Sequence, residues 1–351
     1  MSEAISVMPN SDKNIAGKRL ALGLVSGAII LVLIVVLMGG WTRISDAGLS
    51  CPDWPGCFGQ LTVPSTEAEL AKAEQLYPNI AVEESKGWLE MLHRYLAGSL
   101  GLMILALAML AFSYRKQAHY PHILSYSLLV LVVFQALLGM WTVTLKLLPI
   151  IVTLHLLGGL LTTILLILLR AKILTERQPP VKWQKQHYAF AIGLIVLLGQ
   201  ILLGGWTSSN YAGWGCSDWL ACNPSLSVEY DFKSAFSLTF DTTYSHQGGL
   251  LGLAQRGAIQ IVHRIGALIV VLYFFGLWIV MFKQNMWKKS CAVLVFLTTV
   301  QIILGLMSVA WAMPTGLAMA HHFVAIIMLV FITGLLAASL KKSRGVDDGK
   351  V

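Results

Sequence analysis

Long apolar stretches separated by short polar ones run along almost the whole chain. Each apolar stretch is about 20 residues or longer, the length that an α-helix needs to cross a bilayer. The pattern therefore predicts an all-α integral membrane protein with eight transmembrane helices. The apolar stretches lie near residues 20–40, 88–113, 122–144, 149–171, 188–206, 257–282, 290–312 and 315–340.

The second half of the chain repeats the first. The segment MGGWTRISDAGLSCPDWPGC at 38–57 is matched by LGGWTSSNYAGWGCSDWLAC at 203–222, which lies 165 positions later. Because internal repeats indicate repeated structural units, we expect two tandem four-helix bundles related by internal duplication. The predicted organisation is an N-terminal tail (1–19), a first bundle (20–173), a linker (174–187), a second bundle (188–340) and a C-terminal tail (341–351).

Composition and charge agree with a membrane protein. Hydrophobic residues make up 56% of the chain, charged residues 12%, and the mean hydropathy is +0.72. Lys and Arg are concentrated in the tails and in the loops that follow the second, fourth and sixth predicted helices. The positive-inside rule then places both termini in the cytoplasm and the loops after the first and fifth helices outside the inner (plasma) membrane. The net charge of +8 mostly reflects this asymmetry, and no charged stretch forms a basic domain for nucleic acid.

Four of the five cysteines lie in the two loops predicted to face outward. They form two C-x5-C pairs, Cys51 with Cys57 and Cys216 with Cys222. In an oxidising compartment such pairs are typical of disulfides. A redox-active dithiol is the alternative, chiefly for the first pair. Neither loop supplies a nearby histidine to complete a zinc site.

Four histidines lie at matched positions inside predicted helices. Each is about six or seven residues from the outer end of its helix, which puts all of them roughly 10 Å below the surface. A lone buried histidine often does no more than form a hydrogen bond between two helices. Ionisable groups inside a bilayer cost free energy, however, and are usually functional. Four at one depth in duplicated positions suit axial ligation of haem iron at two sites. The four are His93, His155, His263 and His321.

The last histidine of the set has a neighbour, His322, that could be the ligand instead. Gln135 and Gln301 occupy matching positions in the two halves, and the intervals from them to His155 and to His321 are both 20 residues. His322 points about 100° away round the helix. The repeat therefore favours His321.

An arginine follows the first histidine of each half. Arg94 and Arg264 could hold haem propionates through charge-assisted hydrogen bonds. The alternative is that they extend toward lipid headgroups. The recurrence of the arginine with the histidine favours the propionates.

Glu90 breaks the repeat. It precedes His93 by three residues, so both project from one helix face, whereas Gln260 precedes His263 at the matching position. A carboxylate at membrane depth in one half only suggests that this half carries out chemistry while the other holds a cofactor. The alternative is a carboxylate near enough to the surface to be solvated.

The combination of these motifs resembles the haem A synthase family, in its bacterial form with cysteine pairs in the outer loops. The resemblance covers residues from about 20 to 340. Met91 stands where an aromatic residue is frequent, which is a small departure. The motifs are GGWTRISDAGLS (39–50), the ExxHR segment (90–94), His155, the second VHR (262–264) and His321.

The resemblance implies an enzyme that oxidises the C8 methyl of haem O to the formyl group of haem A by successive hydroxylations. It implies haem b at His263 and His321, and the substrate haem at His93 and His155. Glu90 would lie beside the substrate, as a proton acceptor or as a stabilising charge. Expected partners are the haem O-producing farnesyltransferase, the terminal oxidase under assembly and membrane lipid, with no nucleic acid; self-association into a homo-oligomer stays open.

Two other classes of protein are alternatives. A two-haem electron-transfer protein of the quinol-oxidising type fits four histidines equally well, but Glu90 and the GGWTRISDAGLS segment favour the enzyme. A transporter built from parallel repeats predicts no bound haem, so a visible spectrum separates it from the other two.

Overall fold

The computed structural model describes residues 8–115, 120–175, 183–218, 222–223, 229–238 and 242–345. These residues form helices joined by turns and loops, and the only β-type pairings among them are two isolated bridges. The helices are α1 (Met8–Ile44), α2 (Glu67–Leu76), α3 (Glu84–Ser113), α4 (His122–Thr144), α5 (Pro149–Leu174), α6 (Lys185–Ser209), a 3₁₀ turn (Ala212–Trp214), α7 (Phe232–Ala235), α8 (Leu253–Lys283), α9 (Lys288–Ala310) and α10 (Thr315–Gly345).

Eight of these helices are long and apolar enough to cross a bilayer: α1, α3, α4, α5, α6, α8, α9 and α10. This confirms the predicted all-α membrane architecture. Their outward faces are apolar, with Ile30 64%, Leu102 68% and Leu272 65% exposed, as expected of side chains that meet lipid. The predicted tails and linker lie partly outside the described residues, because 1–7, 176–182 and 346–351 are not among them.

The spanning helices contact one another in two rings. In the first half, α1 contacts α3 and α5, and α4 lies between α3 and α5. In the second half, α6 contacts α8 and α10, and α9 lies between α8 and α10. Helices α5 and α6 and helices α1 and α10 join the rings. One continuous apolar core passes through both halves, with Leu166 and Phe190 fully buried on either side of the junction.

The two halves also meet where α1 and α6 end. Arg43 donates a hydrogen bond to the carbonyl of Ser208, and its guanidinium lies 4.1 Å from the ring centroid of Tyr211. The hydroxyl of Tyr211 donates to the carboxylate of Asp46. Burial is the main factor that raises the pKa of Tyr211, so this phenol stays protonated and can donate. Each hydrogen-bonded pair joins positions 165 residues apart.

The loops that carry the cysteine pairs contain short helices. Helix α2 begins with a capping box in which the Thr66 hydroxyl accepts from the backbone of Glu69 while the Glu69 carboxylate accepts from Thr66, an arrangement that satisfies free backbone donors at a helix start. In the second half, the Trp206 indole donates to the carbonyl of Ala235 in α7 at 3.0 Å.

Candidate functional site

One cavity of about 1850 Å³ extends through both halves. It is lined mainly by apolar side chains, with polar groups from all eight spanning helices. All four histidines singled out from the sequence line it, as do Glu90, Arg94 and Arg264. The fold therefore brings every membrane-depth candidate to a single interior space.

In the first half, two histidines face each other across this cavity. The ring centroids of His93 and His155 are 6.3 Å apart, with the ring planes at 87°. Glycines give the rings their room: a Cβ added to Gly39 would lie 2.9 Å from Cε1 of His93, and one added to Gly139 would lie 3.4 Å from Cε1 of His155. A larger residue at Gly39 would displace the imidazole.

The second half has the same arrangement. The ring centroids of His263 and His321 are 6.5 Å apart, with the planes at 64°. A Cβ at Gly204 would lie 3.4 Å from Cε1 of His263, and one at Gly305 would lie 3.2 Å from Cε1 of His321. Gly204 follows Gly39 by 165 positions, so the glycine that admits the ring recurs with the histidine.

Both histidine pairs fit axial ligation of one metal ion. With metal–nitrogen bonds of about 2 Å on each side and ring centres roughly 1 Å further back, opposed imidazoles have centroids about 6 Å apart. Among the described residues, no cluster of three or more His, Cys, Asp or Glu side chains could hold a metal ion. Two protein ligands in an apolar space suit haem, whose macrocycle supplies the remaining nitrogens.

The histidine rings have polar neighbours in both halves. Nδ1 of His321 lies 3.1 Å from the carbonyl of Gln301, and Nδ1 of His263 lies 3.2 Å from the side-chain amide of Gln200. The rings of His93 and His155 face the backbone carbonyls of Val35 and Gln135, as His321 faces the carbonyl of Gln301. Gln200 was not singled out from the sequence; its signal is a polar residue in the middle of an apolar helix.

Glu90 is buried, with 4% of its surface exposed, which excludes the alternative of a solvated surface carboxylate. One carboxylate oxygen forms an ion pair with Arg94, and the other accepts a hydrogen bond from the backbone N–H of Cys51 at 3.0 Å. At the matching position Gln260 donates its amide to the carbonyl of Gly213 at 3.1 Å. The first half thus holds a buried ion pair where the second half holds a neutral hydrogen bond.

The two arginines make contacts that the sequence pattern did not predict. Besides Glu90, Arg94 donates to the backbone carbonyls of the Cys51–Cys57 loop, at Asp53, Pro55 and Gly56. Arg264 donates to the carbonyl of Asp218 in the equivalent loop at 3.0 Å. Each arginine therefore joins a cysteine loop to a membrane helix while its side chain lines the cavity. Binding of haem propionates stays a prediction for both.

Both cysteine pairs form disulfides, Cys51–Cys57 and Cys216–Cys222. All four cysteines are buried, with at most 5% of their surface exposed. The first disulfide packs in a small apolar cluster with Phe58 and Met91. Burial of this kind restricts access by external thiols, which favours a structural role over a dithiol exchange role.

His322 lies apart from the histidine pair beside it. A Cβ at Gly40 would be 2.5 Å from its ring, and its Nε2 lies 3.4 Å from the carbonyl of Val36. The side chain thus packs against α1 of the first half, while His321 faces His263. This geometry supports the choice of His321 made from the repeat interval.

Comparisons with known proteins agree with this site. The profile of the family described as cytochrome oxidase assembly protein matches residues 23–333. The chain is 40% identical to heme A synthase of Shewanella oneidensis over 308 residues, which is 87% of this chain and 92% of that protein. It is 29% identical to heme A synthase of Chelativorans sp. over 87% of both chains. It is 28% identical to heme A synthase of Allorhizobium ampelinum, over 93% of this chain and 92% of that protein.

Proposed function

Because the chain belongs to the cytochrome oxidase assembly protein family, we propose that it is a haem A synthase, an oxidoreductase that converts haem O into haem A. The reaction oxidises the C8 methyl group of haem O to a formyl group through successive hydroxylations. The observation that carries the proposal is the pairing of two opposed histidine sets with a carboxylate in only one half.

We assign the substrate to the first half, at His93 and His155. Their opposed rings bind haem O on both faces and fix its orientation in the cavity. The Gly39 and Gly139 backbones leave room for these rings, since a Cβ added at either position would lie within 3.4 Å of an imidazole. Apolar walls around the macrocycle exclude bulk water, which strengthens the electrostatic effect of any nearby charge.

Glu90 is the proposed catalytic residue. It lies one helical turn from His93 on the same face of α3 and lines the same cavity. Arg94 and the Cys51 N–H donate to its two carboxylate oxygens and hold the side chain in position. A fixed negative charge stabilises positive charge that develops at the methyl carbon during oxidation, and it can accept a proton released there.

The second half is the proposed site of a resident haem b, held by His263 and His321. When bound, haem iron supplies one-electron redox chemistry. The residues around this haem would hold it in position and take no part in the reaction themselves. Gln260, neutral where the first half has Glu90, places no charge beside this pocket, as suits a cofactor that is kept rather than converted.

The disulfide loop acts as the support of Glu90. The Cys51–Cys57 bond closes a short loop whose backbone offers one N–H to Glu90 and three carbonyls to Arg94. Such fixed backbone groups keep the carboxylate in place while the substrate enters and leaves.

The location and the partners of the protein follow from the distribution of its charged residues and from its family. We propose that the protein is a multi-pass protein of the inner (plasma) membrane with both termini in the cytoplasm and the cysteine loops facing the periplasm or exterior. The haem O-producing farnesyltransferase would deliver the substrate, and the terminal oxidase under assembly would receive the product.

Haem analysis of the purified protein tests the proposal. The chain is produced with and without a source of haem O, and the extracted pigments are separated and identified. We expect haem A only when haem O is supplied, and b-type haem in both preparations. Recovery of b-type haem alone under both conditions would reject the synthase in favour of an electron-transfer protein. A preparation without visible absorption would reject both.

A further inference from the structure

The cavity reaches further along its helices in the first half than in the second. On α3 its lining extends from His93 to Leu105, twelve residues later, which is about 18 Å along the helix axis. On α8 the lining extends from His263 only to Val271, eight residues later, or about 12 Å along the axis. Phe275, the α8 equivalent of Leu105, is among the described residues but does not line the cavity.

Helices α4 and α9 differ in the same way. The lining of α4 begins at Leu129, ten residues before Gly139, whereas that of α9 begins at Thr298, seven residues before Gly305. The other four wall helices show no difference, because the lining extends seven residues from the pocket in each: Val32 to Gly39, His155 to Thr162, Leu197 to Gly204 and His321 to Met328. The extension therefore belongs to the wall that α3 and α4 form.

Small side chains in the first half produce this extension. At three positions that line the cavity, a small residue of α3 or α4 stands where α8 or α9 has a branched one: Gly98 for Leu268, Gly101 for Val271 and Ala136 for Ile302. A Cβ added at Gly98 or at Gly101 would meet nothing within 4 Å. We call the space beside these three small residues the α3–α4 slot.

The α3–α4 slot is open to the bilayer. Leu102, Leu105 and Val133 line the cavity, and they are 68%, 39% and 56% exposed. Apolar side chains exposed on spanning helices meet lipid tails. The slot thus connects the space around His93 with the lipid between α3 and α4, along a path with apolar walls.

An apolar slot that leads from a haem pocket into lipid suits an isoprenoid chain. Haem O carries a hydroxyethylfarnesyl chain where haem b carries a vinyl group, and the tetrapyrrole ring is the same in both. The pocket at His93 and His155 has room for this chain beside the ring. In the pocket at His263 and His321, branched side chains fill the same place, and a close-packed wall resists additional atoms.

We propose that the α3–α4 slot holds the farnesyl chain of haem O, and that Leu268, Val271 and Ile302 exclude farnesylated haem from the second half. This inference rests on the proposed function and adds the basis on which each half selects its haem. The opposed histidines are alike in both halves, so the discrimination comes from the wall and not from the ligands.

The test gives the first half the wall of the second. The variant combines Gly98→Leu, Gly101→Val and Ala136→Ile in the full-length protein, purified with b-type haem in its second half. Haem O and haem b are titrated separately and followed by visible absorption. We expect the affinity for haem O to fall by roughly 10- to 100-fold, the range for overpacking of an apolar site. The affinity of the first pocket for haem b should not change.

The matched control is Gly276→Val on α8. A Cβ at Gly276 meets nothing within 4 Å, and this residue does not line the cavity, so both affinities should stay at the parent values. Retained b-type absorption shows that each variant is folded. If the combined variant loses that absorption, Ala136→Ile alone provides the test, with a smaller fall in haem O affinity expected.

The reverse change tests the exclusion. Leu268→Ala, Val271→Ala and Ile302→Ala are combined with His93→Ala, which removes a ligand of the first pocket, and the protein is produced with haem O. We expect haem O to be extracted from this variant and to be absent from His93→Ala alone.

Two results would overturn the inference and leave the synthase proposal intact. One is an unchanged haem O affinity in the variant with the filled slot, and the other is an equal fall in the affinities for haem O and haem b. Absence of haem O binding by the parent protein would overturn the proposed function, and this inference with it.

Discussion

The backbone N–H of Cys51 donates a hydrogen bond of 3.0 Å to the carboxylate of Glu90. The bond joins the start of the first disulfide loop to a residue inside the membrane helix α3. Arg94, one turn further along α3, binds the other carboxylate oxygen and three carbonyls of the same loop. The loop and the carboxylate therefore form one unit, which substitutions in either part should disturb.

Removing the charge at Glu90 should leave haem binding intact but prevent the conversion of haem O to haem A. Glu90→Gln keeps the shape of the side chain, so we expect bound haem to stay near the parent level. Haem A formation should fall by roughly 100-fold or more, the usual effect of losing an electrostatic group that acts on the transition state. The measurement is the ratio of haem A to haem O in extracts. Glu83→Gln, at an exposed carboxylate paired with Lys86, is the control and should convert normally; normal conversion by Glu90→Gln would exclude its catalytic role.

Loss of a second-half ligand should remove the resident haem. His263→Ala or His321→Ala leaves one imidazole where two opposed rings fit the iron, and we expect the b-type absorption to disappear and thermal stability to fall. His322→Leu is the matched control, because Leu156 occupies the equivalent contact, against Gly205, in the other half. The measurement is the visible absorption spectrum of each purified variant. Full b-type absorption in His321→Ala would refute the assignment.

The two disulfides should differ in their effect on activity. In each disulfide the two cysteines are 6 positions apart in the sequence. For a loop of this length the chain-entropy model gives a stabilisation of about 2 kcal/mol. Paired Cys→Ala substitutions at 51 and 57, or at 216 and 222, should lower thermal stability by similar amounts. Only the first change should reduce haem A formation strongly, since the first loop holds Glu90 in place. Equal activity of the two variants would limit the first disulfide to a structural role.

Adding a methyl group at Gly39 should disturb the first pocket. A Cβ there would lie 2.9 Å from Cε1 of His93, too close without movement of the ring. Gly39→Ala should therefore weaken capture of haem O and lower haem A yield, with b-type haem in the second half kept. Gly23→Ala is the control on the same helix, because a Cβ there meets nothing within 4 Å. Haem O titration of both variants provides the comparison, and equal affinities would contradict the prediction.

The fold was predictable because the bilayer imposes simple rules. A helix must be about 20 apolar residues long to satisfy its backbone in lipid, so the eight spans follow from hydropathy alone. The four histidines are conspicuous because ionisable groups are rare at that depth. The structure places His93 opposite His155 and His263 opposite His321, the pairs expected from the repeat.

Contacts made by loops and by polar side chains were harder to predict. The i, i+4 spacing of Glu90 and Arg94 signals an ion pair on a helix, yet the recurrence of the arginine favoured propionates as its partners. Burial of Cys51 depends on packing with Phe58 and Met91, which no local pattern reveals. The reach of Gln200 to His263 depends on how α6 crosses α8. These features arise from tertiary packing, where spacing along the chain gives no direct guide.

The contacts of Arg43 with Ser208 and of Asp46 with Tyr211 join equivalent positions of the two halves. In an assembly of identical subunits, contacts between equivalent residues occur on a twofold axis. A homodimer of the first half would bring two Arg43 side chains together at that axis and two Asp46 side chains beside them. A homodimer of the second half would have neither charge there. In the chain itself, Arg43 and Asp46 of the first half each meet an uncharged partner from the second half, so the junction is built from two unlike surfaces.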